Sequence, residues 1–117
     1  MLRRALLAWA LLAAATCAAA PPPAEQARIE RLIRFVEVQN DIRFLRNGKA
    51  YSAQDAAKFL RGKFNKMGEH VSTAQQFIEQ IASKSSTSGE PYRIRLADGR
   101  EIPAAKFLGD ELQRIDR

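Results

Sequence analysis

Cysteine and histidine are nearly absent from this 117-residue chain: Cys17 is the only cysteine and His70 the only histidine. If Cys17 leaves with an export leader, the remaining domain has no thiol. That excludes disulfide staples, thiol catalysis and a cysteine zinc site. A histidine-based metal site or a Ser-His-Asp triad would have to turn on His70 alone. The Ser-x-x-Lys spacing that puts both side chains on one helical face does not occur, nor does a Gly-x-Ser-x-Gly elbow. Paired carboxylates are scarce. Asp110 and Glu111 are neighbours in a helical pattern and point in different directions. Glu69 beside His70 reads as a surface pair in a loop. No metal, no cofactor and no catalytic residue is expected.

A long hydrophobic run is missing too. Ala5 to Ala15 is apolar but shorter than the ~20 residues a spanning helix needs. Pro21-Pro22-Pro23 ends the stretch, since proline removes a donor and restricts the residue before it. With Arg3 and Arg4 ahead of this core and small residues after it, residues 1–20 read as a cleaved signal peptide. Cleavage after Ala15, Ala18 or Ala19 is compatible with the sequence; after Ala20, Pro21 would follow the scissile bond. Lipid attachment at Cys17 is the competing expectation, and Ala14-Ala15-Thr16 matches its usual Leu-x-small lead poorly. The Arg pair lacks the flanking residues of a twin-arginine signal. The expected location is the periplasm.

The whole chain has 19 basic and 13 acidic residues, a formal +6. Losing Arg3 and Arg4 leaves 17 against 13, or +4. Such a surface suits an anionic envelope component or an acidic periplasmic protein, and equally a plain solvated surface. Nucleic acid is not an expected partner for an exported protein, and the mature form has no expected transmembrane span.

Residues 21–24 read as a proline-rich linker and 25–117 as one domain without internal repeats. Ile29, Leu32, Ile33 and Val36 give a helical stripe within 25–39. Asn47-Gly48 marks a two-residue hairpin that pairs Phe44 with Tyr51, Leu45 with Ala50 and Arg46 with Lys49. The like-charged Arg46–Lys49 pair is explained by an anionic partner or by solvent exposure. Ser52-Ala53-Gln54-Asp55 reads as a capping box for a helix with Ala53, Ala56, Leu60, Phe64 and Met67 facing inward and Gly68 ending it. Thr73 caps a third helix, with Phe77, Ile78 and Ile81 inward. A second hairpin spans 92–102. A three-residue loop, Ala97-Asp98-Gly99, with Gly99 left-handed, pairs Ile94 with Ile102 and Arg95 with Glu101. Pro103 opens a last helix whose buried face is Ala104, Phe107, Leu108, Leu112 and Ile115. The expected fold is α+β, in the order α-β-β-α-α-β-β-α, with two β-hairpins, separate or joined in one antiparallel sheet, packed against helices.

Three motifs in order are distinctive together: Phe44-x-Arg46-Asn47-Gly48, Phe59-Leu60-Arg61-x-Lys63, and Thr73-Ala74-x-x-Phe77-Ile78-x-x-Ile81-Ala82-Ser83-x-Ser85-Ser86-x-Ser88-Gly89-x-Pro91-Tyr92. The chain resembles the YfeK-like family of small periplasmic bacterial proteins of unknown function. The resemblance covers nearly all of the domain and implies an exported single-domain protein. It implies no activity and carries over no catalytic residue.

Two segments could bind a ligand. In the loop of Ser83, Lys84, Ser85, Ser86, Ser88, Gly89 and Tyr92, successive backbone N–H groups could form an anion nest, aided by hydroxyls and Lys84. A solvated connector explains the same composition. The hairpin tip of Arg46, Asn47 and Lys49, with Arg61 and Lys63, could hold a carboxylate or phosphate. Charges that keep a sheet edge soluble explain it as well. Three functions remain open: a non-enzymatic binding or accessory domain, which is the leading one; a small hydrolase of an envelope polymer using Ser85 or Ser86; and an inhibitor or immunity-type protein. Convergence of Arg46, Arg61 and the 83–92 loop on one concave surface would favour the first.

Overall fold

The computed structural model describes residues 21–117, so the signal-peptide and Cys17 expectations lie outside the described residues. Helix α1 runs Pro23–Glu37, beginning two residues earlier and ending two earlier than the periodicity suggests. Pro23 takes the first helical position, where its missing N–H costs nothing. Ile29, Leu32, Ile33 and Val36 are all fully buried, as their spacing predicts.

Strands β1 (Arg43–Arg46) and β2 (Lys49–Tyr51) form the first hairpin in the expected register. Asn47 and Gly48 both have positive φ, 49° and 81°, as a type I′ turn requires. Helix α2 (Ala53–Met67) starts where the Ser52 hydroxyl accepts the Asp55 N–H at 3.1 Å. Helix α3 (Ala74–Gln80) is short and capped by Thr73, whose hydroxyl accepts the Gln76 N–H. A carboxylate oxygen of Glu25 accepts the Ala74 N–H at 2.8 Å, so α1 closes the start of α3. That bond holds the Glu25 carboxyl below its ordinary value.

Strands β3 (Arg93–Arg95) and β4 (Glu101–Pro103) pair Ile94 with Ile102 and Arg95 with Glu101, around Gly99 at φ 91°. Helix α4 (Ala104–Ile115) follows directly, with Pro103 as its cap residue rather than its first helical one. The two hairpins join through β1 and β3, giving one antiparallel sheet in the order β2-β1-β3-β4. The α+β order is therefore α-β-β-α-α-β-β-α. Phe44 and Ile94 are buried while Arg43 and Arg95 are exposed, so one sheet face meets the helices and the other meets water.

One inward assignment needs correction. Met67 is 48% exposed, because α2 extends beyond the core at its C-terminal end. Phe107 and Ile115 are half-buried and pack against the core; Phe107 lies against Phe35 with centroids 5.2 Å apart. Among the described residues, no helix is long and apolar enough to cross a membrane.

Candidate functional site

Helix periodicity puts Phe59, Gly62, Lys63, Lys66 and Met67 on one face of α2, at i, i+3, i+4, i+7 and i+8. The hairpin tip, through Arg46 and Asn47, stands at one side of this face. Ser85, Ser86, Thr87 and Tyr92 line it as well, the loop being bonded to the hairpin tip through Asn47. Together they enclose an open groove of about 460 Å³.

Strand alternation explains how Arg46 arrives there. Arg46 lies two residues beyond the buried Phe44 and so projects from the same, helix-facing side of the sheet. Just past the core it meets rings instead of solvent alone. Its guanidinium carbon lies 4.3 Å from the Phe59 ring centroid and 5.4 Å from that of Tyr51. Such cation–π contacts position the guanidinium without using its N–H groups. Among the described residues, no carboxylate forms an ion pair with Arg46, Lys63 or Lys66, and no acidic residue lines the groove.

Lys63 is only 8% exposed. Its ammonium donates to the Lys84 carbonyl at 2.9 Å and to the Tyr92 hydroxyl at 3.0 Å. An ammonium has three donors, so one remains. The 4.9 Å between Nζ and the Tyr92 ring centroid accompanies the hydroxyl bond and is not a separate cation–π contact. Burial, then the Arg46 charge, lowers the Lys63 pKa from its ordinary value. Burial raises that of Tyr92, against the pull of Arg46. An anion in the groove would oppose both effects of Arg46.

The 83–92 loop is internally bonded. The Ser85 hydroxyl, on a residue 5% exposed, accepts the N–H groups of Thr87 at 3.2 Å and Ser88 at 3.3 Å. It also accepts Asn47 Nδ2 at 3.3 Å and shares a 3.0 Å bond with Thr87 Oγ1. Ser85 N–H reaches the Glu90 carbonyl, Gly89 N–H the Ser85 carbonyl, and Glu90 N–H the Ser88 hydroxyl. Two N–H groups that an anion nest would need, those of Thr87 and Ser88, are thus taken by the loop's own serine. Ser88 Oγ donates to Asn47 Oδ1 at 2.6 Å, clamping loop to hairpin tip. Gly89 turns the chain at φ 76°.

The other expected residues divide by position. Ser83 ties the loop start to α3 through the Ile78 carbonyl at 2.6 Å. The Lys84 side chain is exposed; only its carbonyl serves the groove. Lys49 is exposed beside the turn and does not line the groove. Arg61 pairs with Glu30 at 3.2 Å, on a different face of α2. The convergence therefore includes Arg46, Asn47, Lys63, Ser85, Ser86 and Tyr92 but not Arg61. Phe59, Gly62, Lys66, Met67 and Thr87 were missed. Counting by helical steps from Lys63 finds Phe59, Lys66 and Met67. Ser85 Oγ is occupied by loop bonds, and Ser86 Oγ faces Met67 Sδ at 3.7 Å; neither bonds to a basic side chain. Among the described residues, no cluster of three or more metal-ligating side chains occurs.

The sequence of residues 23–116 matches the model of a family of unknown function, DUF5329. The chain belongs to this family. A further similarity is to a Salmonella typhimurium LT2 protein named "Uncharacterized protein YfeK", 38% identical over 68 residues. Those residues are 58% of this chain and 57% of that relative. The YfeK-like resemblance read from the motifs is thereby supported by both comparisons. No solved structure matches. The DUF5329 match ends one residue short of the C-terminus and includes every groove residue.

Proposed function

We propose that this DUF5329 protein is a non-enzymatic binding domain of the bacterial periplasm, exported by residues 1–20, whose groove receives an anionic group. The supporting observation is the acid-free groove. Arg46, Lys63 and Lys66 share it, and none has a carboxylate partner among the described residues. Neighbouring cations repel, and a bound anion relieves that repulsion. Arg46, positioned over the Phe59 ring, supplies a fork for a carboxylate, sulfate or phosphate. Lys63 supplies its third donor from a half-dry position.

Sulfate and phosphate titrations followed by side-chain NMR of Arg46 test the reading. Arg46→Gln should weaken binding by about tenfold or more, the scale of one lost charge-assisted pair. Lys66→Gln should mainly flatten the salt dependence. Equal affinity in the wild type and Arg46→Gln would refute the site. Mass spectrometry of the mature N-terminus, with cell fractionation, tests export and distinguishes a free N-terminus from a lipidated Cys17.

A further inference from the structure

The cations occupy only part of the groove. The remaining wall is apolar: Phe59, the ring of Tyr92, the open backbone at Gly62, and Met67. A Cβ built at Gly62 meets nothing within 4 Å, so the glycine leaves open space in the middle of the α2 face. Glycine is a poor residue for a helix interior, and nothing in the packing there demands it. Met67 is one of only two exposed large hydrophobic residues among those described. Its flexible thioether suits contact with varied apolar shapes. Charged and apolar groups therefore share one helix face: Arg46 stands over Phe59 toward one end, Lys63 is central, and Lys66 lies beside the exposed Met67 at the other.

Resting on the anion-binding reading above, we propose that the natural ligand is a free, single-tailed anionic amphiphile: a carboxylate, sulfate or phosphate head carrying one alkyl or aryl body. The head pairs with Arg46 and the remaining Lys63 donor. The body lies over Gly62 between Phe59 and Met67. A groove of about 460 Å³ lies within the range of small-molecule sites, which favours a single free molecule over a membrane surface.

Fluorescence of anilinonaphthalene sulfonate, an aryl sulfonate, reports on this groove in the full domain. Octyl sulfate should displace the dye at concentrations at least about tenfold below inorganic sulfate, because its tail is buried too. Octyltrimethylammonium should not compete. Gly62→Leu places a side chain where the body lies; octyl sulfate affinity should fall by about tenfold or more while sulfate affinity holds. Circular dichroism confirms folding of that variant, and Met67→Gln, at an exposed position, gives an independent loss in the same direction. Equal affinity for sulfate and octyl sulfate, or an unaffected Gly62→Leu and Met67→Gln pair, overturns the amphiphile and leaves the anion site standing. Failure of both anions to bind overturns both readings. Binding only to vesicles of anionic phospholipid overturns the free ligand, and equal competition by octyltrimethylammonium overturns the anionic head.

Discussion

Replacing Tyr92 with Phe keeps the ring that packs against Phe44 and Phe59, at centroid distances of 5.2 and 5.7 Å, and removes only the hydroxyl. That hydroxyl is one of two acceptors for the buried Lys63 ammonium. Its loss leaves a largely buried ammonium with the Lys84 carbonyl as its one remaining acceptor among the described residues, at a cost of about 2 kcal/mol. Lys63→Met removes the charge itself. It relieves the desolvation and the Arg46 repulsion, and leaves the Lys84 carbonyl and Tyr92 hydroxyl without their donor, for a net loss of about 1 kcal/mol. In the double variant, the phenyl ring and the thioether meet without an unsatisfied charge. The two losses should therefore not add, and the coupling should be about 1–2 kcal/mol. Urea unfolding at neutral pH reads this directly; a 2 kcal/mol loss moves the midpoint by about 1 M if the slope is unchanged. Additivity within about 0.5 kcal/mol would refute a stabilising Lys63–Tyr92 bond.

The same pair sets the sign of a pH effect. Folding lowers the Lys63 pKa from 10.5, so in alkali the unfolded state holds that proton longer. Lys63 thus makes stability rise with pH between its folded value and 10.5. Tyr92 acts oppositely: its folded pKa lies above 10.0, so stability falls as pH climbs from 10.0 through that value. Lys63→Met should abolish the rise and leave the fall.

Three further outcomes follow from single contacts. Ser85→Ala should cost about 1–3 kcal/mol, because the Thr87 and Ser88 N–H groups lose their acceptor; faster hydrogen exchange at those two amides distinguishes this from global loosening. Gly68→Ala should destabilise by about 1–3 kcal/mol in a thermal melt, since the new Cβ would collide with the Phe64 carbonyl and its ring. Glu111 is held below its ordinary 4.5, first by its hydrogen bonds from Arg114 at 2.8 and 2.6 Å. Its contribution is present above 4.5 and lost as pH falls through the folded value, so Glu111→Gln should lose less stability on acidification than the wild type.

Local rules reached far in this chain. Asn47-Gly48 determined one register, and the choice of a bulged turn at Gly99 determined the other, because side-chain alternation penalises a one-residue slip. The four-residue stripe of α1 is buried throughout. The pairing of Phe44 with Ile94, which joins the hairpins, was not legible. No turn connects β1 to β3, and tertiary packing alone sets that register. Met67 and Arg61 show a second limit. Periodicity identifies a face but not where the core ends along the helix. Arg61 and Lys63 are close in sequence yet roughly 160° apart around α2, and only Lys63 shares the face of Phe59.

Clustered serines suggest donors offered to a ligand, or a solvated connector; in the structure several of them brace the groove. Ser85 accepts the Thr87 and Ser88 N–H groups, Ser88 and Asn47 bind the loop to the hairpin tip, Ser83 anchors it to α3, and Lys84 presents a carbonyl to Lys63. Of the groove's charged groups, Arg46, Lys66 and one proton of Lys63 remain without an internal acceptor among the described residues, beside the apolar surface of Gly62 and Met67. Frame and recognition are thus assigned to partly different residues. Changes in the serine loop should act first on stability and only through it on binding. Changes at Lys66, whose side chain makes no hydrogen bond or ion pair among the described residues, should act on binding at nearly constant stability. Arg46 and Lys63 belong to both groups, since Arg46 also packs over Phe59 and the Lys63 ammonium holds Tyr92.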